Sequence, residues 1–152
     1  MAVLSKIMQE LLAKIVKFHG TPCFVYFFDQ VIRRIAEIND AFNNRFQISY
    51  AIKANPNPAL VSRLVDKISF LDVSSSGEIE LALKAGWSGN KISFTGPGKR
   101  DSDLSFAFQS QIGEIVLESV FEAERLNALA INRGQRQPVL IRIAPTRIPP
   151  GF

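Results

Sequence analysis

Short apolar runs rich in β-branched and aromatic residues alternate along this chain with stretches of helical period, over connections only a few residues long. That alternation constrains the fold more than any other feature. Strands joined through helices run parallel, because a tight turn can join only antiparallel ones. The spacing predicts strands near residues 46–52, 68–73, 91–95, 114–117 and 139–143, with helices near 58–65, 77–85, 103–109 and 121–132 between them. The repeat is one of structure, with no matching sequence repeat, linker or low-complexity tract. Upstream, Leu4, Ile7, Met8, Leu11, Leu12, Ile15 and Phe18 mark one face of a helix that Gly20-Thr21-Pro22 ends. Residues 23–28 then read as a short buried strand with Cys23 as a small core residue, and Asp29 is placed to cap a helix reaching about Asn43, with Ile32, Ile35, Ile38 and Phe42 inward.

Composition narrows the classes. A hydrophobic fraction of 47% with 21% charged residues is that of a globular chain. The charge balance, 18 − 14 = +4, is scattered without a basic run, so neither nucleic acid nor a membrane surface is an expected partner. No apolar run approaches the roughly 20 residues of a membrane span, and no secretory leader is visible, so the expected compartment is the cytoplasm. One cysteine excludes an internal disulfide and a cysteine-built zinc site. The length of 152 residues suits one domain but falls well short of the about 250 typical of a complete (β/α)₈ barrel.

The run 46–53 carries the most chemistry. Strand period two puts Phe46, Ile48, Tyr50 and Ile52 on one face and Gln47, Ser49, Ala51 and Lys53 on the other. The small, polar face ends in a lysine at the C-terminal end of a strand, where the active sites of parallel α/β folds lie. Turned inward, such a lysine would be partly desolvated and suited to Schiff-base formation; turned outward, it is a solvated loop residue.

Tyr50-Ala51-Ile52-Lys53-Ala54-Asn55 resembles the cofactor-lysine motif of the pyridoxal-phosphate-dependent amino-acid decarboxylases of the alanine-racemase-like barrel, the group that includes diaminopimelate, ornithine and arginine decarboxylases. Other landmarks follow in order. Gly20-Thr21-Pro22 resembles the family's opening segment, and the run from Asp72 to Glu78 resembles the close of its second barrel strand. Gly96-Pro97-Gly98-Lys99 is similar to the turn after the third strand, Glu118-Ser119 to the step after the fourth, and Leu140-Ile141-Arg142-Ile143 to the arginine-bearing fifth. Asn55-Pro56-Asn57 departs from the Asp-x-Tyr-Gly-His continuation of the racemase branch.

The resemblance implies an α/β fold: a partial (β/α)₈ barrel with about five of its eight strands. Residues 1–28 would supply a helix and a strand that joins a C-terminal β domain, and residues 29–152 the first part of the barrel. It implies pyridoxal 5′-phosphate as cofactor, held by Lys53 and lined by Ala51, Asp72, Glu78 and Arg142, with Lys53 also catalytic. Asp72 would point into the barrel mouth. Glu78 would also complete a capping box with Ser75. Arg142, sharing a face with Leu140 and Ala144, would be a buried guanidinium neutralised by Asp72 or Glu78. The role of Lys99 stays open, since the resemblance assigns the cofactor's phosphate to a later glycine-rich segment. His19, at a helix end, needs no more than a dipole contact. The implied activity is decarboxylation of a diaminopimelate-, ornithine- or lysine-like amino acid by a homodimer. A carrier-bound substrate and a non-catalytic homologue are the alternatives. A family member would continue through three more strands and a β-rich domain, so the chain alone is expected to be inactive and to bind the cofactor weakly.

Overall fold

The structure, a computed structural model, describes residues 5–143. The chain divides into two compact units, Met1–Arg34 and Ile35–Phe152. In the first, helix α1 (Lys6–His19) starts at Ser5, whose hydroxyl accepts the Met8 N–H at 3.3 Å, and stops at Gly20, where φ is 79° and the backbone N–H returns to Val16. Leu4 lies outside the described residues.

The strand expected at 23–28 is absent. Residues 23–27 have no ladder partner, Cys23 is exposed rather than part of a core, and α2 (Phe28–Ala41) begins at Phe28, so Asp29 lies in its first turn instead of capping it. Side-chain pattern shows only that a segment suits a strand; forming one takes a second backbone to bond with. Helix α2 ends before Asn43 because Asn43 and Asn44 take left-handed φ values of 51° and 55°, a conformation asparagine tolerates better than most residues. Ile32 and Ile35 are half-buried as expected, whereas Ile38 and Phe42 are exposed.

In the second unit five strands, β1 (Ser49–Ala51), β2 (Phe70–Val73), β3 (Ile92–Phe94), β4 (Glu114–Leu117) and β5 (Val139–Ile141), pair in sequence order and all in parallel. Helices α3 (Pro58–Arg63), α4 (Ser76–Lys84), α5 (Asp101–Gln109) and α6 (Val120–Arg133) form the crossovers. Crossovers between parallel strands of one sheet are right-handed as a rule, and with a strand order that never reverses that rule puts all four helices on one face. Burial agrees. On the helix side Ile52, Leu71, Val73, Ile92, Phe94 and Ile115 are at most 1% exposed, and Val61, Leu64, Ile79, Ala82, Leu104 and Ala107 pack beside them. Burying each large aliphatic chain contributes about 1.5–3 kcal/mol. Trp87, 3% exposed, donates its ring N–H to the Val61 carbonyl at 2.9 Å and thereby joins the end of α4 to α3. At the β5 edge this core runs out: Val139 is 41% and Ile141 74% exposed.

The observed strands are shorter than their side-chain patterns. Pairing of the first begins where the Ile48 carbonyl accepts the Ser69 and Phe70 N–H groups, and Ile52 already belongs to a 3-10 turn, Ile52–Ala54. Strand β5 stops at Ile141, which leaves Arg142 beyond it, and Ala144 lies outside the described residues.

Gly89 and Gly113 touch between α4 and β4: the Gly113 N–H reaches the Gly89 carbonyl at 2.9 Å, and a Cβ on either glycine would collide with backbone oxygen, of Ser110 and Asn90 respectively. Gly113→Ala is therefore expected to destabilise the chain by about 1–3 kcal/mol, read as a lower urea midpoint of Trp87 fluorescence. Gly98→Ala, whose Cβ would meet nothing within 4 Å, is expected to change stability by no more than about 0.5 kcal/mol.

Candidate functional site

The sheet face turned away from the helices carries short and polar side chains. Ala51, Asp72, Ser93 and Glu114 form one row across β1 to β4, since each is the register partner of the next. Asp72 thus stands between two small neighbours. Its Oδ1 is buried and has no hydrogen-bond partner. An unpaired buried acceptor costs about 1–3 kcal/mol, so a donor placed beside Asp72 would be stabilised.

Lys53 follows Ala51 on the 3-10 turn at the C-terminal end of β1. Its neighbours are held firmly. Ile52 is fully buried, Tyr50 donates its hydroxyl proton across the turn to the Asn55 carbonyl at 3.1 Å, and the Asn55 N–H returns to Ile52. Asn55 Oδ1 accepts the Asn57 N–H at 3.1 Å, and Asn57 in turn caps α3 through Ala59 and Leu60, with Pro58 opening the helix. Tyr50, Asn55 and Asn57 thus each hold a structural partner. Of the two placements the sequence leaves open for Lys53, inward and partly desolvated or outward and solvated, the structure shows the exposed one. Among the described residues the turn follows an edge strand paired with β2 alone, and one neighbouring strand cannot enclose it.

The remaining strand ends are built from caps. At β2–α4, Ser75 accepts the Glu78 N–H at 3.2 Å, while the Glu78 carboxylate takes the Ser74 N–H at 2.6 Å. Glu78 therefore reaches one residue further back than the capping box expected with Ser75. At β4–α6 the same device recurs: Ser119 accepts the Glu122 N–H at 3.1 Å and Glu122 takes the Glu118 N–H at 2.9 Å. Between them, Thr95 binds the Val73 carbonyl through its N–H at 2.8 Å, and Gly96, at φ 103°, turns the chain beside Ser74. Only glycine takes that φ without strain.

Two groups escaped the sequence reading. Lys99 is buried and ion-paired with Glu122 at 3.0 Å, with side-chain exposures of 1% and 5%. The second Ser-x-x-Glu at a strand end, Ser119 to Glu122, was the signal that could have found the pair. Arg142 also departs from expectation. Its side chain is 61% exposed, and its partner is Glu118, at 3.1 and 3.3 Å from Nη1, rather than Asp72 or Glu78. Sheet order decides this, because β4 adjoins β5 and Glu118 directly follows β4.

A one-sided parallel sheet with its polar turns gathered at the C-terminal strand ends is the construction of an α/β barrel, here in part. The chain belongs to the family described as pyridoxal-dependent decarboxylase, pyridoxal binding domain, whose profile matches residues 28–148. It is 33% identical over 138 residues to the diaminopimelate decarboxylase of Zymomonas mobilis, covering 88% of this chain and 33% of the relative. Among solved structures, Helicobacter pylori diaminopimelate decarboxylase complexed with L-lysine superposes with a TM-score of 0.78 at 33% identity, over 87% of this chain and 34% of that one. The lysine/ornithine decarboxylase of Vibrio vulnificus complexed with cadaverine gives 0.81 at 27% identity, over 95% and 38%. The chain spans about a third of the length of the relatives it matches.

One carboxylate at these turns titrates abnormally. The Arg100 backbone N–H at 3.0 Å, and after it the Ser76 hydroxyl at 2.7 Å, hold Asp103 below the usual carboxylate range. A depressed folded pKa gives stability that is fully present above the unfolded value of about 3.9 and is lost as pH falls through the folded one. Urea midpoints should therefore separate wild type from Asp103→Asn most at neutral pH and converge in acid.

Proposed function

We propose that this chain is the cofactor-lysine portion of an amino-acid decarboxylase, with Lys53 as the lysine that bonds to pyridoxal phosphate and Asp72, Ala51, Glu78 and Arg142 around it. The observation that carries the reading is the Ala51–Asp72–Ser93 row. It sets a buried, unpaired carboxylate oxygen between small side chains, on the strand paired with the one that Lys53 follows. The residues fit the group: Ala51 and Ser93 leave room for a flat ring, and Asp72 lacks the donor that a bound ligand or its amine supplies. The family match and the named relatives support the assignment.

When bound, pyridoxal phosphate supplies the electron sink that takes up the electron pair released as carbon dioxide leaves an α-carbon. The chain's own groups do the rest. A lysine amine bonds to a carbonyl only when unprotonated, so Lys53 acts as the neutral amine and regains its proton at Nζ when it lets go. The Tyr50 to Asn55 hydrogen bond and buried Ile52 keep that amine at the strand end. Asp72 orients a donor at the mouth. Glu78, engaged by the Ser74 N–H, contributes by setting the turn that follows Asp72. Arg142 presents its guanidinium at the same edge, half neutralised by Glu118. The proposed substrate is a basic α-amino acid of the diaminopimelate, lysine or ornithine kind, supported by relatives whose structures hold L-lysine or cadaverine.

Incubating the chain with excess pyridoxal phosphate, reducing with borohydride and mapping the adduct by mass spectrometry tests the assignment. The adduct is expected on Lys53 and absent in Lys53→Ala. Asp72→Ala is expected to weaken cofactor binding roughly tenfold, the scale of one lost charge-assisted hydrogen bond. An adduct spread over surface lysines and unchanged by Lys53→Ala would overturn the proposal.

A further inference from the structure

Lys99 lies at the same end of the sheet as Lys53 and is built in the opposite way. Its side chain is 1% exposed, and the ammonium donates to the Gly96 carbonyl at 2.7 Å, the Val116 carbonyl at 2.7 Å and Glu122 Oε1 at 3.0 Å. A lysine ammonium has three protons, and all three are engaged. The hydrogen bonds then close on themselves. Glu122 Oε2 accepts the Glu118 N–H at 2.9 Å, and Glu118 Oε1 accepts the Gly96 N–H at 3.1 Å, returning to the residue whose carbonyl Lys99 holds. Behind the circuit, Arg125 donates to the Lys99 carbonyl at 2.9 Å. In front of it, the Glu118 carboxylate takes Arg142 Nη1.

We propose that Lys99 is a positioning residue: through Glu122 and Glu118 it sets the Arg142 guanidinium at the C-terminal edge of the sheet, and it is not a second carbonyl-bonding amine. The circuit itself is independent of the function proposed above; only the placement of Arg142 beside a cofactor rests on that reading. A lysine whose three ammonium protons are all held by fixed acceptors is tied away from any carbonyl, whereas Lys53 is exposed at its strand end.

The test is the rate at which phenylglyoxal modifies Arg142 in the full chain, followed by peptide mapping. Glu118→Gln is expected to raise that rate roughly threefold, the scale of an exposed ion pair. Lys99→Met is expected to raise it similarly, and to have no further effect in the Glu118→Gln background. Should Lys99→Met fail to fold, Glu122→Gln takes its place in the same comparison. A purely structural Lys99 would lower the urea midpoint and leave the Arg142 rate of the folded chain unchanged. That result, or additive effects in the double variant, overturns the proposal. So does a borohydride-trapped adduct on Lys99. Absence of an adduct on Lys53 would instead sink the proposed function and leave the Arg142 comparison intact.

Discussion

Right-handed crossovers between parallel strands that never reverse order leave the chain no choice about where its helices go. All four lie on one face, and that face takes the Ile, Leu, Val and Phe side chains as its core. The opposite face is thereby released from core packing. It can hold Ala51, Asp72, Ser93 and Glu114 in one row, a composition no two-sided core would accept, because an unpaired carboxylate oxygen among apolar neighbours is costly. The same constraint brings every strand's C-terminal end to one edge. There the turns meet, and there chemistry drawn from distant parts of the sequence can be assembled.

Those turns are held together by caps and one buried ion pair rather than by apolar contact. Glu78 and Glu122 each accept a main-chain N–H just before their own helix and so tie strand end to helix start. Helix caps contribute about 1 kcal/mol each. The Lys99–Glu122 pair carries more risk: each charge costs several kcal/mol to desolvate, and removing one partner strands the other at a cost of about 3–5 kcal/mol. Three acceptors on the ammonium and a second donor on the carboxylate offset that cost. Such a pair gains little net stability, but it fixes geometry, because few other arrangements satisfy both charges.

Much of the fold was legible because period-two and period-3.6 patterns report burial, and burial in this sheet is one-sided. Strand β4 was expected at 114–117 and found there; the other four were expected too long, since a pattern records which way side chains face, whereas a strand ends where its neighbour's backbone does. Residues 23–28 show this limit most fully, with suitable side chains and no ladder partner among the described residues. At the site, the motif around Lys53 and the cap at Ser75 were readable because each is local. The partner of Arg142 was not. Glu118 is a distant residue in sequence and the nearest carboxylate only because β4 adjoins β5.

By itself the sequence determined what is local or periodic: the alternation of strands and helices across the sheet, the face each strand turns to the helices, the cap at Ser75, and a lysine at the end of the first strand of the sheet. Its motifs also carried the resemblance to pyridoxal-dependent decarboxylases that the family match bears out. Tertiary structure alone decided which charges meet. The closed circuit of Lys99, Gly96, Glu118 and Glu122 joins two turns, those after β3 and β4, and hydrogen bonds of about 3 Å depend on strand order and register. Neither quantity has a signature along the chain, because both arise from which backbone lies beside which.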